Sequence, residues 1–323
     1  MKIKKFKIKI LSPVHIGSGN EISPLEYFIK DGKFYRVDVD SLFSSPEFKP
    51  MMDKFIEKAK LKREISEILP VNLLEKHVLY SIDVSPLNKQ PNPIQVKEYI
   101  KSAGRVYIPG SSLKGSILSG VIENVLSKKK IEKLENFEDL LGKTLSEIRK
   151  ENKFDSGKFI RWIDVRDSDL KKPEETLELS LIKIIGARRG GLLPVLYETL
   201  KEDVEFETEI ISHSKHSEEE ILKFADQFYR KVYQKEIEFK RGKNIILPEI
   251  PSNSYLLRIG QGSTAWSTSF LILAENLGIK NYDIRRPKIQ KISGPPRTRK
   301  LLSGTNSMGW ISITKIEKGE KNG

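Results

Sequence analysis

The stretch YIPGSSLKGSILSGVIENVL, Tyr107 to Leu126, constrains the fold of this chain more than any other. Leu113, Ile117, Leu118, Val121, Ile122, Val125 and Leu126 recur at the helical period, so a helix is expected whose apolar face docks on a sheet. Pro109 and Gly110 break the incoming strand, and Ser111 or Ser112 can cap the first turn. Such a start turns free N–H groups and the positive end of the helix dipole toward its loop, an anion seat that suits a phosphate. Lys114 stands in the middle of the apolar arc yet in the first turn, where its charge opposes the dipole. A local rule broken in this way points to a functional site. A bound phosphate removes the conflict; so does a lysine stem that snorkels over the core edge, with the glycines serving a tight turn and close packing. The order Gly110-x-x-x-Lys114-Gly115-Ser116 is not that of a nucleotide P-loop, which needs Gly-Lys-Ser/Thr.

Composition narrows the class. The 323 residues suffice for two domains with their own cores. With no cysteine, disulfide frameworks, cysteine metal sites and thiol nucleophiles are excluded. No apolar run approaches the roughly 18 residues of a membrane span. The start MKIKKFKIKI alternates like a strand, unlike a signal peptide, so a soluble cytoplasmic protein with no membrane partner is expected. Lys and Arg exceed Asp and Glu by 57 to 44, a net charge of +13 that favours a polyanion, nucleic acid first. A lysine-rich proteome gives a similar excess, but there lysine and glutamate rise together. Here the excess is locally clustered, since Arg285 to Lys300 holds seven basic residues and no acid.

Along the chain, residues 2–11 read as a half-buried strand and Ser12 to Asn20 as a Gly/Ser loop. Leu25 to Ile29 and Lys33 to Val37 form a hairpin about Asp31-Gly32. Residues 46–76 read as a charged helical insertion. His77 to Val84 and Ile94 to Ile100 are strand-like, Ile131 to Lys150 is a polar helical segment, and 158–165 is a strand ending in RDSDLKKPEE, the expected interdomain link. Leu177 to Ile185, Leu192 to Leu200 and Val204 to Ile211 read as a three-stranded antiparallel run, with GARRGG at its first turn. Ser217 and Glu220 make a capping box for a helix to about Glu236. Tyr255 to Asn276 repeats strand, glycine loop and helix, a second anion seat, and Gly309-Trp310 opens a last strand.

Four of these segments, Pro13-Val-His-Ile-Gly-Ser-Gly19, Ile108-Pro-Gly-Ser-Ser-Leu-Lys-Gly115, Arg258-Ile-Gly260, and Pro296-Arg-Thr-Arg-Lys300 closing on Gly309-Trp310, resemble those of the RAMP proteins of CRISPR effector complexes. The closing pair is most similar to the Csm-type (type III-A) subunit at the 3′ end of the guide RNA. The resemblance spans both halves and implies an α+β fold of two RRM-like (ferredoxin-like) domains, 1–165 and 166–323, with the helical insertion in the first. It implies glycine-rich loops that grip the backbone of CRISPR RNA (crRNA) within a ribonucleoprotein, other RAMP subunits and target RNA as partners, and no cofactor.

The RNA contacts so expected are His15, Gly17, Ser18, Gly19, Gly110, Ser111, Ser112, Lys114, Gly115, Arg188, Arg189, Gly260, Gln261, Gly262, Ser263, Arg297, Arg299 and Lys300. His15 is also read as a turn-bonding structural histidine, and Arg188-Arg189 as a solvated tip. His213 and His216 near Glu218 to Glu220 have metal-like spacing but lack a third well-placed ligand, so no metal is expected. The function expected is a non-catalytic crRNA-binding subunit. The alternative is a metal-independent RAMP endoribonuclease using His15 as acid-base group, Lys114 for the developing charge, and Tyr107. A target-cutting subunit with an aspartate after the first strand does not fit, because Ser12 to Pro24 offers Glu21 and no aspartate.

Overall fold

The computed structural model describes residues 4–60, 63–85, 95–127, 163–186, 195–214, 216–268, 271–276 and 298–316. The expectations for Ile131 to Lys150, for Arg188-Arg189 and for the basic run up to Arg297 lie outside these residues. In chain order, β1 (Lys4–Ile10), β2 (Gly17–Ile22), β3 (Tyr27–Lys30) and β4 (Lys33–Val37) precede helices α1 (Val39–Ser44), α2 (Met52–Ala59) and α3 (Val71–Leu74). Then β5 (Val78–Val84), β6 (Val96–Tyr99), β7 (Lys101–Ser102) and β8 (Arg105–Val106) lead to α4 (Gly110–Ser127). β9 (Ile163–Val165), α5 (Pro173–Thr176), β10 (Leu177–Ile185), β11 (Val195–Leu200), β12 (Glu205–Ser212) and the long α6 (Glu218–Lys240) follow. The chain continues through β13 (Tyr255–Arg258), α7 (Ala265–Thr268), α8 (Leu271–Asn276), β14 (Arg299–Leu302), β15 (Asn306–Ser307) and β16 (Trp310–Lys315).

β1 alternates as the sequence requires: Phe6, Ile8 and Ile10 are fully buried between lysines. It is the middle strand of an antiparallel sheet ordered β13-β16-β1-β12-β9. Leaving β16 aside, the path β1-α4-β9-β12-α6-β13 is a βαββαβ unit with the spatial order of a ferredoxin-like fold. Strands from either side of residue 165 therefore pair in one sheet. The helices α4 and α6 cross closely because Gly120 has no side chain: a Cβ there would lie 2.5 Å from the Ala225 Cα. α6 starts at the expected capping box, Ser217 Oγ accepting from Glu220 N–H and Glu220 from Ser217 N–H.

A second sheet runs β2-β6-β11-β10-β5-β4-β3, with β14 on β10 and β15 on β14. The β3–β4 turn has positive φ at Asp31 (50°) and Gly32 (73°), the type I′ geometry expected of that pair. The helical insertion is shorter-pieced than expected, α1 to α3 joined by 3₁₀ turns, around its own apolar cluster of Leu42, Phe48, Phe55, Ile65 and Leu74. One expectation is corrected. β10 and β11 pair, but β12 leaves them for the other sheet, where it lies beside β1. The reason is charge register: Lys5, Lys7 and Lys9 stand opposite Glu209, Glu207 and Glu205. The turn between β11 and β12 is locked by Asp203 N–H to Ile10 O and Ile10 N–H to Val204 O, both 2.9 Å. Among the described residues no helix is long and apolar enough to cross a membrane.

Candidate nucleic-acid interface

The apolar face expected for α4 is buried at Leu113, Ile117, Leu118 and Val121. Its N-terminus starts against the link after β9, where a Cβ on Gly110 would lie 2.2 Å from the Val165 carbonyl oxygen, so only glycine fits. The seat expected for a phosphate holds a carboxylate of the chain itself: Gly110 N–H donates to Asp167 Oδ1 at 2.7 Å. Ser112 and Leu113 N–H both turn back to Pro109 O. Lys114 resolves its conflict with the dipole in a way neither sequence reading named. Its Nζ lies 3.3 Å from Asp164 Oδ1, and the other oxygen of Asp164 is 2.7 Å from His213 Nε2. The hydrogen bond from His213, with Lys114 beside it, holds the Asp164 carboxyl below its usual range. Ser111 and Gly115 remain exposed. Asp164 is the middle residue of β9 and Asp167 belongs to the RDSD link that follows it, both read in sequence only as strand end and connector; their spacing across the end of that strand was the available signal.

The other three motif segments meet one another. Gly260 (φ 70°) lets its loop touch the first one, Gln261 N–H donating to His15 O at 2.8 Å where a Cβ on Gly260 would collide with that oxygen. Gly309 (φ 90°) closes the third side, accepting from Ile259 N–H and donating to Pro13 O at 2.8 and 2.9 Å. Trp310 N–H donates to Ser12 Oγ at 3.0 Å. α4 joins through Ser116 Oγ, which donates to Arg258 O at 3.2 Å. At the rim, Gly17, Ser18 and Gly19 are exposed on β2, where Ser18 Oγ donates to Glu98. Gln261 is exposed and accepts from Lys300 Nζ, which also reaches Tyr197 Oη at 3.4 Å. Ser263 is half-buried, while Gly262 packs on Met308. Lys97 pairs with Glu21, and Lys101 with Glu198 at 2.6 Å. Among the described residues no carboxylate pairs with Lys300; its partners are neutral, so its charge faces outward uncompensated.

Two expected contacts are corrected. His15 is 2 % exposed, its Nδ1–H donating to Glu198 O at 2.7 Å and its ring edge-on to Tyr197 and Tyr99. Burial lowers its pKa from 6.5 to about 4, helped by Lys300, Lys101 and Lys97, so the imidazole is neutral at pH 7. It shapes the loop from within, and its side chain does not reach the surface. Arg299 is also 2 % exposed, with its Nε 2.7 Å from Glu236 Oε2 and its guanidinium over the Phe239 ring. The alternation of β14 explains this: Arg299 faces in and Lys300 faces out. Glu198, missed in sequence, is fully buried and accepts from Tyr80 Oη, Tyr99 N–H and Lys101 Nζ. Burial and this carboxylate push the Tyr80 hydroxyl well above its usual range.

The βαββαβ unit defines the class, mixed α/β proteins with an antiparallel sheet of ferredoxin-like topology. The RAMP superfamily model matches residues 7–290, and the chain belongs to that family. It is 25 % identical to the CRISPR system Cms protein Csm5 of Streptococcus thermophilus over 98 % of this chain and 96 % of that protein. It is 30 % identical to the protein of the same name from Methanocaldococcus jannaschii, over 41 % of this chain and 34 % of the relative. Among solved structures, one chain of a Csm-crRNA-target RNA ternary complex of a type III-A CRISPR-Cas system superposes with a TM-score of 0.68 at 20 % identity, covering 97 % of this chain and all of that one. Csm5 of T. onnurineus does so with 0.63 at 20 %, covering 94 % and 99 %.

Proposed function

We propose that the chain is a non-catalytic, crRNA-binding structural subunit of a type III-A (Csm) interference complex. In that role it caps the 3′ end of the guide, contacts other RAMP subunits and target RNA, and supports crRNA maturation and antiviral defence. The observation that carries this reading is the meeting of three glycine loops beside Lys300, a cation held only by Gln261 and Tyr197 among the described residues. An uncompensated ammonium beside exposed glycine-rich backbone suits phosphates and makes no demand on base identity. The full-length likeness to Csm5 of S. thermophilus supports the assignment to that complex. The nine-stranded sheet, in this reading, carries the second RRM-like unit, and Gly17 to Gly19 on β2 is its contribution to the rim. The endoribonuclease alternative is less well supported, since the His15 ring is buried and its Nδ1–H is committed to Glu198 O.

The test is affinity for a labelled single-stranded RNA across a salt series, alongside sequencing of small RNA that copurifies. Counterion release gives log K a slope of about −0.7 per phosphate contact against log salt, with little dependence on sequence. Binding that ignores salt overturns the reading. Incubation with repeat RNA should leave it intact, and a discrete product that disappears in His15→Ala would restore the endoribonuclease.

A further inference from the structure

Glu236 lies far from the rim in sequence and is 3 % exposed, yet it touches every element that builds the rim's Gln261–Lys300 side. Its Oε1 accepts from Thr264 Oγ1 at 3.1 Å, at the end of the loop that begins with Gly260. The same oxygen is 3.2 Å from Arg258 Nη1, on β13 of the five-stranded sheet. Its Oε2 accepts from Arg299 Nε at 2.7 Å, on β14 of the other sheet. Arg258 and Arg299 are each 2 % exposed and lie over the rings of Trp310 and Phe239. Arg258 further donates to Met308 O at 3.0 Å, just before Gly309. One carboxylate on α6 thus joins the two sheets and the loop.

A buried carboxylate between two guanidiniums is costly to desolvate and is poor evidence for stability; its use lies in fixing register. Here the register fixed is that of the rim. Thr264 is three residues after Gln261, and Arg299 precedes Lys300, whose side chain points to the opposite side of β14. Pinning Thr264 and Arg299 to one group sets the distance between Gln261 and Lys300. We propose that Glu236 is the positioning residue of the RNA rim, holding the Gly260–Ser263 loop and Lys300 at the spacing that lets both reach successive phosphates. The inference rests on the RNA-binding reading above.

The experiment uses the full chain and a fluorescein-labelled single-stranded RNA of about 20 nucleotides. Thr264→Val removes the loop's bond to Glu236 and leaves both arginine contacts. It should melt within about 2 °C of wild type while affinity falls roughly threefold, a hydrogen bond's worth of restraint. Glu236→Gln keeps the shape but leaves two arginines without a counter-charge, so it should lose melting temperature. Measured well below that temperature, its affinity should fall about tenfold, with a salt slope shallower by about 0.7, one phosphate contact. Lys300→Ala is the reference. If it weakens binding while Thr264→Val and any folded Glu236→Gln keep wild-type affinity and slope, the positioning role is overturned and the RNA rim stands. If Lys300→Ala changes nothing, the rim itself is wrong. Should Glu236→Gln not fold, Thr264→Val alone decides.

Discussion

His15 is the third residue of the Pro13–Gly19 motif and has an imidazole that burial keeps neutral down to about pH 4. In the unfolded chain the same group takes a proton near 6.5. Between these values the unfolded state binds more protons, so stability rises with pH there, is complete above 6.5, and is lost as pH falls toward 4. The full difference amounts to about 3 kcal/mol. Urea unfolding of the wild type should show this slope between pH 6.5 and 5, and His15→Gln should flatten it, whatever its absolute stability. An unchanged slope in the variant means the ring is not protected as described. At this scale the sequence was partly legible. Lys114 announced itself by opposing a helix dipole, but its resolution by Asp164 was hidden 50 positions away. Arg299 and Lys300 looked alike in a basic run, and only the pleat of β14, with Glu236 beneath it, separates the buried one from the half-buried one.

Elements were read best where a local rule is strong. The α4 stripe, the I′ turn and the Ser217 capping box all came from spacing alone. The partner of β12 did not, although the signal was in view: a lysine every second residue in β1 and a glutamate every second residue in β12 suit an antiparallel pair. Sequence neighbours are the default partners of a strand, and that default hid the pairing. The crossing of α4 and α6 was equally invisible, since Gly120 reads as an ordinary weak point in a helix. Gly120→Val should force the helices apart, because its Cβ would meet the Ala225 backbone. A loss of about 1–3 kcal/mol is expected from such overpacking, against a gain in helix propensity of under about 1 kcal/mol. Chemical denaturation measures the net, and a neutral or stabilised variant would show that the helices do not pack this tightly.

At the scale of the molecule, β1 pairs with β12 and β16, and β9 with β12, so cutting at residue 165 strands one side of each pair. Fragments 1–165 and 166–323 should each lack a cooperative melting transition. Mixing them should recover one, read by circular dichroism. Two independent sharp transitions would instead establish autonomous domains. The boundary expected in sequence rested on a polar link, and polarity marks a surface path without saying where the flanking strands end up.

β16, near the end of the described chain, lies between β1 and β13. During synthesis β1 emerges first and waits for a neighbour made about 300 residues later; at about 5–20 residues per second that is roughly 15–60 s. Through that interval its row of alternating lysines is the part of the strand that keeps it from joining another nascent chain edge to edge. Gly309, which closes the rim, arrives just ahead of β16. A ribosome that stops early therefore releases a polypeptide whose three loops have not closed on one another, and in the proposed role only finished copies would offer an RNA rim.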